Sequence, residues 1–538
     1  MARLQKYWQA KNATENEGPN FREVMRSINM AANIGMALGK SAIWYPDKEA
    51  LVYEDTRLTY RQLNERVNKL ANGLLDLGLK KGDFTSVLSL NRSEYAEISF
   101  ALPKIGAILA PLNYRLTPNE METLLSQCRP KAIILGHDFV EVVNTLKPRL
   151  KSVQHYIVIG NNGKDYMVNY EDILGSSAIN EPDVAVYSDD PTYVNYSSGT
   201  TGLPKASVMS QFNNLYGCLA KMIDQQVTQN DVFLCAFPQY GRIGLSNLYE
   251  SVLAGAKCVI INFAPDKFME IIEKEKVTVT DIAPVMMSFV MMLPNLRKYD
   301  THTLRAIYFI GSKLTQDTLE AAWNTFGDVV GEYYGTTETG AIVMATPSQK
   351  RRKPQSCGLV TTNTQIRIVD EIGNDVNCGE QGEIITINPA LNGNYVWDPE
   401  STSKFLKDGW FHTEDLGMFD DDGYLYVTGR TKDMIISGAY NVFAPKVEEV
   451  IQSHPKILES AVIGVPHTVW GEAVVAVVVP KPGENITEAE IIEYTKAKLP
   501  NWECPKYVRV EEKGLPRNPT AKILKRILRE KYAKIGAE

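Results

Sequence analysis

The chain of 538 residues carries 57 Lys and Arg against 64 Asp and Glu, a formal net charge of −7, with 44% hydrophobic and 22% charged residues. That balance is ordinary for a globular enzyme, excludes extended disorder, and gives no electrostatic basis for nucleic acid or an anionic membrane surface as main partner. The length predicts roughly three to four folding units around a large core.

The first residues, MARLQKYWQAKN, lack the apolar stretch of a signal peptide. No run approaches the ~18 apolar residues of a membrane helix, so no integral membrane segment is expected. Seven cysteines, at 128, 218, 235, 258, 357, 378 and 504, form no Cys-x-x-Cys pair, which suits reduced thiols in a cytoplasmic protein. The closing Gly-Ala-Glu is not a peroxisomal tripeptide. Gly35 to Ser41 falls one residue short of Gly-x-x-x-x-Gly-Lys-Ser/Thr and reads as a chance match.

From about residue 50 to 390, helical periods such as TYRQLNERVNKLANGLLDLGL alternate with short β-rich runs such as FTSVLSL, KAIILG, AKCVIINF and RAIYFIG. This alternation predicts α/β layers with parallel-rich sheets. Tyr193 to Tyr196 reads as a strand that ends in Ser197, Ser198, Gly199, Thr200, Thr201 and Gly202, with Lys205 after them. Small side chains let backbone approach an anion while N–H and hydroxyl groups donate to it, and lysine adds a point charge, so the segment reads as a phosphate-wrapping loop. Hydrophobic periodicity is expected to resume only around Leu215. Downstream, Pro238-Gln239-Tyr240-Gly241-Arg242 and the methionine-rich PVMMSFVMML at 284–293 are candidate pocket walls, although helical methionines are more often core.

At 331–340, GEYYGTTETG places rings at Tyr333 and Tyr334, a Gly335 that permits close approach, and oxygen ligands at Thr336, Thr337 and Glu338, a set that suits a nucleotide with its magnesium ion. Asp415 in WFHTEDLG follows a strand edge and can accept from a ribose diol, and Arg430 offers a fixed fork of donors. GEIITI and DLGMFDDDGYLYVTGR, turning at Asp421-Asp422-Gly423, read as a small β-subdomain. Residues 433–538 alternate helix and strand as a separate α+β unit of about 100 residues. Alone, Asp415 reads as a turn aspartate and Lys522 as a lysine on a basic terminal helix.

In this order the motifs resemble the adenylate-forming superfamily of acyl-CoA synthetases, nonribosomal adenylation domains and firefly-type luciferases. The likeness runs from LTYRQL at 58–63 through PLNYRLTPNE at 111–120 to PRNPTAKILKRILREKY at 516–532. It implies a large multi-layer α/β N-terminal domain with a β-subdomain, 1–431, holding ATP and acid, and a small mobile α+β C-terminal domain, 432–538, with the hinge at Lys432. By the same resemblance, Ser197 to Gly202 and Lys205 hold the ATP phosphates and then pyrophosphate. Adenine lies between Gly311-Ser312-Lys313 and the Tyr334 ring, flanked by Gly335 and Thr336. Thr337 stands near the α-phosphate, Glu338 binds magnesium, and Asp415 and Arg430 hold the ribose.

Lys522 is then the catalytic lysine bridging the attacking carboxylate and the α-phosphate. After domain rotation, Ser437, Gly438 and Ala439 border the pantetheine channel of coenzyme A. The resemblance implies an ATP-dependent acid–CoA ligase with ATP, Mg2+ and CoA, acting on a medium- or long-chain or a cyclic or aromatic acid; a homodimer is the expected assembly. The acyl pocket is expected around Tyr240, Gly241 and Met286.

Several positions depart from the family pattern. Gly241 stands where a histidine is common, which either widens the pocket for a large or ring-shaped acid or lets Tyr240 swing in. Arg242 and Lys313 are cations near it that suit an acid with a second anionic or polar group, unless Arg242 faces solvent or pairs with a nearby acid. Ala206, Ala521 and Ala439 stand where glycine is usual, and Pro445 comes one place late. Other readings are transfer to a carrier-protein pantetheine, a luciferase-type oxygenation, or a catalytically silent nucleotide sensor.

Overall fold

The computed structural model describes residues 33–161, 163–197, 205–392, 394–438, 440–517 and 523–535. Among these residues the backbone forms four sheets, of nine, seven, five and five strands. In the nine-stranded sheet the run from Glu49–Tyr53 to Val330–Thr336 is parallel, and antiparallel strands close both edges. The seven-stranded sheet is parallel except for the pair Pro191–Ser197 and Lys205–Ser210.

Apolar faces explain the layering. Helix Tyr60–Asp76 starts at a Thr59/Gln62 capping box and buries Leu63, Val67, Leu70 and Leu74 at its helical spacing. It lies with Ser93–Lys104, Gln211–Asp224 and Arg242–Leu253 between the two large sheets. One buried cluster there joins Val87, Ile134 and Tyr193 of one sheet to Phe233, Cys235 and Val279 of the other. Other helices cover the outer faces, around Phe268, Ile272 and Leu319 on one side and Leu124, Val143 and Leu146 on the other. The Gly35 to Ser41 near miss is part of helix Ile34–Trp44, as a chance match would be.

The antiparallel β-subdomain spans Gln365–Val369 to Leu425–Arg430, turning through Gly423 at φ 78 as expected of the Asp-Asp-Gly hairpin. The last unit pairs Ile457–His467 with Gly471–Pro480 around its own core of Val447, Val474, Ala476, Val478 and Val508. The hairpin of Met434–Ser437 with Tyr440–Phe443 was not foreseen from the sequence. All seven cysteines are free thiols. Among the described residues no helix is long and apolar enough to cross a membrane.

Two expectations change. The chain does not wait for Leu215: strand Lys205–Ser210 pairs antiparallel with Pro191–Ser197. Asp415 lies inside strand Trp410–Phe419 and pairs with Arg430 across the ladder, rather than following a strand edge.

Candidate active site

One cavity of ≈ 1850 Å³ runs between the large sheets, the β-subdomain and the C-terminal unit. It gathers Lys205, Gly311 to Lys313, Tyr334 to Glu338, Asp415 and Arg430, together with Tyr240, Gly241 and Met286. Ser198, Gly199, Thr200, Thr201, Gly202, Ala439 and Lys522 lie outside the described residues, as do the side chains of Ser197 and Lys432. Ile523, Leu524 and Lys525, which follow Lys522, line this cavity, whereas Ser437 and Gly438 do not. Gly438 sits instead at φ 66 in its hairpin, where its N–H donates to the Trp470 carbonyl at 2.7 Å.

The end of strand Val330–Thr336 meets the β-subdomain through side chains. Tyr334 Oη donates to Asp415 Oδ2 at 2.7 Å, and Arg430 Nε stands 2.5 Å from Asp415 Oδ1. Burial and the Asp415 carboxylate together hold the Tyr334 hydroxyl far above its usual range, so it remains a donor. The carboxylate is thus fixed between a ring and a guanidinium in the cavity wall.

Gly335 has a packing reason that the sequence did not show. A Cβ there would lie 1.7 Å from the Gly340 carbonyl oxygen, so the hairpin itself demands glycine. The turn that follows is held from behind. Asn195 Nδ2 donates to the Thr337 carbonyl at 2.6 Å, Asn392 N–H to the Glu338 carbonyl at 2.9 Å, and Tyr395 Oη to Glu338 Oε1 at 2.7 Å. Tyr395 and Asn392 lie in no recognisable motif, and the sequence read Asn195 only as part of the Tyr193 to Tyr196 strand.

Glu338 is buried in this wall and pairs with no cation among the described residues. A tyrosine hydroxyl on one oxygen leaves carboxylate capacity for a divalent ion, so the residue fits magnesium. No group of three metal-ligating side chains occurs among the described residues, so such an ion would take its other ligands from phosphate and water. Lys205 Nζ donates to Ser401 Oγ at 2.6 Å, beside Asp398 at 4.0 Å.

In the acyl region, the Tyr240 ring packs edge-on against Tyr114 at 5.3 Å. A Cβ at Gly241 would meet nothing closer than the Pro238 carbonyl at 3.5 Å, so glycine here leaves space and is not forced by packing. The methionines divide: Met286 and Met292 line the cavity while Met287 is sealed in the core. Lys313 reaches Glu449 of the C-terminal unit at 2.5 Å, an ion pair rather than an unoccupied cation. Arg242 neither faces solvent nor pairs with an acid among the described residues; it donates to the Thr337 carbonyl, to Asn392 Oδ1 at 3.3 Å and to the Ala390 carbonyl at 3.2 Å.

Beneath the cavity lies a polar cluster that the sequence did not announce. Lys221 Nζ stands 2.8 Å from Asp281 Oδ2 and 3.1 Å from Glu250 Oε2, and Tyr333 Oη donates to Asp281 at 2.6 Å. Tyr333 therefore points its hydroxyl into the protein. Burial lifts the Glu250 carboxyl to about 8, against the pull of Lys221.

Residues 40–396 match the family described as AMP-binding enzyme, and residues 446–522 match the AMP-binding enzyme C-terminal domain. The chain is 33% identical over 513 residues to the long-chain-fatty-acid–CoA ligase FadD13 of Mycobacterium tuberculosis, covering 93% of this chain and 99% of that one. It is 31% identical over 504 residues to an indoleacetate–CoA ligase of Aromatoleum aromaticum, covering 93% and 96%. Among solved structures, ATP-bound MatB from Rhodopseudomonas palustris superposes with a TM-score of 0.87 at 28% identity, covering 94% of this chain and 99% of that one.

Proposed function

The chain belongs to the AMP-binding enzyme family, in the acyl-CoA synthetase branch of the adenylate-forming superfamily, and is an AMP-forming acid–thiol ligase; from that premise we propose how its own residues divide the work. ATP and a small carboxylic acid condense to an acyl-adenylate with loss of pyrophosphate, and the thiol of CoA then displaces AMP. The observation that carries the assignment is the Tyr334–Asp415–Arg430 contact set, which shares one cavity with Glu338 and the acyl wall.

Asp415 and Arg430 bind the ribose, Tyr334 stacks on adenine against Gly311, Ser312 and Lys313, and Gly335 and Thr336 complete that wall. Ser197 to Gly202 and Lys205 wrap the leaving pyrophosphate. Thr337 orients the α-phosphate, and Glu338 holds magnesium, which supplies charge neutralisation on the phosphate oxygens. Attack of a carboxylate on a phosphate sets two anions together, and Lys522 offsets that repulsion as a bridging cation. The position of residues 523–525 on the cavity wall supports an arrangement in which the tail motif serves adenylation.

Ser437 and Gly438 stand away from the cavity, in keeping with a second arrangement, reached by rotation near Lys432, in which they and Ala439 border the pantetheine channel. The domain limits are then 1–431 and 432–538. The space at Gly241 favours a medium- or long-chain or a ring-bearing acid. A cytoplasmic location and a homodimer belong to the same proposal.

The test is pyrophosphate release with ATP, magnesium and a panel of acids, with and without CoA. Thioester that forms only when CoA is present supports the reading. Adenylate that passes only to a carrier-protein pantetheine, or no release with any acid, refutes it. Lys522→Ala is expected to stop adenylation while ATP still binds.

A further inference from the structure

Arg242 opens helix Arg242–Leu253 directly after Tyr240 and Gly241, at the junction of the acyl region with the nucleotide turn. The residue is half-buried and lines the cavity wall. Nη1 donates to the Thr337 carbonyl and to Asn392 Oδ1, and Nη2 to the Ala390 carbonyl. These neutral acceptors fix the plane of the group without cancelling its charge.

The slot is shaped for it. A Cβ on Gly340, which sits at φ 70, would stand 2.8 Å from Arg242 Nη2, and one on Gly217 would collide with the Ala390 methyl at 2.9 Å. Glycine at 340 thus leaves the room that the guanidinium occupies, and glycine at 217 admits Ala390, whose carbonyl Nη2 bonds. No carboxylate among the described residues comes within ion-pair distance of Arg242, and burial lowers its pKa, with Tyr193, Cys218 and Glu338 acting on it only through space. Nε–H and one Nη2–H find no acceptor among the described residues. A partly desolvated cation on a cavity wall, held by neutral oxygens alone, is costly unless an anion completes it. A planar two-donor edge is the geometry that matches a carboxylate.

We propose that Arg242 binds a carboxylate of the acid substrate where the acyl cavity meets the Thr337–Glu338 turn. The inference rests on the ligase reading above. The carboxylate is either the one that attacks the α-phosphate or a second one on a dicarboxylic acid. Because Arg242 also holds the Thr337 carbonyl, it couples acid binding to the turn that faces the nucleotide.

The test uses the full chain with octanoate, cinnamate and adipate as probes, in wild type, Arg242→Gln and Arg242→Lys. Loss of a charge-assisted pair is expected to raise the acid KM about ten- to hundredfold in Arg242→Gln, with the ATP KM changing less than about threefold and with Arg242→Lys, which keeps the charge but not the planar edge, recovering only part of the loss. A rise for all three acids identifies the reacting carboxylate, and a rise for adipate alone identifies a second one. A rise in ATP KM with the acid KM unmoved would leave Arg242 as a clamp on the turn and overturn the inference. Equilibrium dialysis of the same acids without turnover reads binding separately from ligase activity. Acid binding in wild type that Arg242→Gln leaves unchanged, or no binding of any probe, overturns the inference whatever pyrophosphate release shows.

Discussion

Replacing Glu250 by glutamine should make the enzyme less sensitive to alkaline pH without disturbing the core. Lys221 is one cation between two buried carboxylates, Asp281 at 2.8 Å and Glu250 at 3.1 Å, and Asn247 Oδ1 accepts from it at 2.8 Å. Tyr333 and Gln225 add donors to Asp281, while neither Glu250 oxygen has a well-formed hydrogen bond. Glu250 is therefore the member that keeps its proton, with its carboxyl lifted by burial from 4.5 to about 8. Between those values the folded chain holds a proton that the unfolded chain has released, so stability is fully present below 4.5 and falls as pH rises towards 8. The slope is about 1.4 kcal/mol per pH unit, which makes the loss from about pH 6 to about pH 8 roughly 2–3 kcal/mol.

Glutamine matches the protonated acid in shape and cannot ionise. With roughly 0.8 kcal/mol/K of unfolding entropy for a domain of about 400 residues, the wild type should lose about 3 °C more than the variant over that interval. Differential scanning fluorimetry at the two pH values gives the comparison directly. Parallel shifts in the two proteins would show that Glu250 is ionised in the fold, and the proton assignment would be wrong.

Asp415→Asn keeps the shape but removes the charge that holds Arg430 and accepts from Tyr334, so the ATP KM should rise about tenfold while the acid KM stays nearly constant; steady-state kinetics with each substrate varied checks it. Tyr395→Phe removes the hydrogen bond to Glu338 Oε1, and the half-saturating magnesium concentration should move severalfold at unchanged acid KM; a magnesium titration of pyrophosphate release decides this.

The features legible in the sequence are those whose chemistry is local. Tyr334 with Thr337 and Glu338, and the isolated Asp415 and Arg430, which the structure brings to one cavity, each sit in a short segment of marked composition, and their order along the chain supplied the rest. The contacts that hold them were not legible, because they join segments far apart in sequence. Asn195, Tyr395 and Asn392 reach the Thr337–Glu338 turn from elements about 50 to 140 residues away. Nothing in an isolated asparagine announces that it will meet a carbonyl. Strand Lys205–Ser210 was missed for a related reason. KASVMS has little hydrophobic weight of its own, and becomes a strand by pairing with Pro191–Ser197.

Lys313 shows how the two parts of the chain are linked through the site. It belongs to the segment expected against adenine, yet its ammonium reaches Glu449 on helix Ala444–Gln452 of the C-terminal unit. Both side chains are more than two-fifths exposed, so the pair contributes little to stability and can be exchanged cheaply for water. Weak contacts are what the proposed rotation between two half-reactions would require, because every bond made in one arrangement must be broken to reach the other. The buried Tyr334–Asp415–Arg430 set lies within the N-terminal part and is unaffected by such a rotation. On the proposed reading, nucleotide recognition would sit on contacts that persist through the cycle, whereas the Lys313–Glu449 contact would be one that need not.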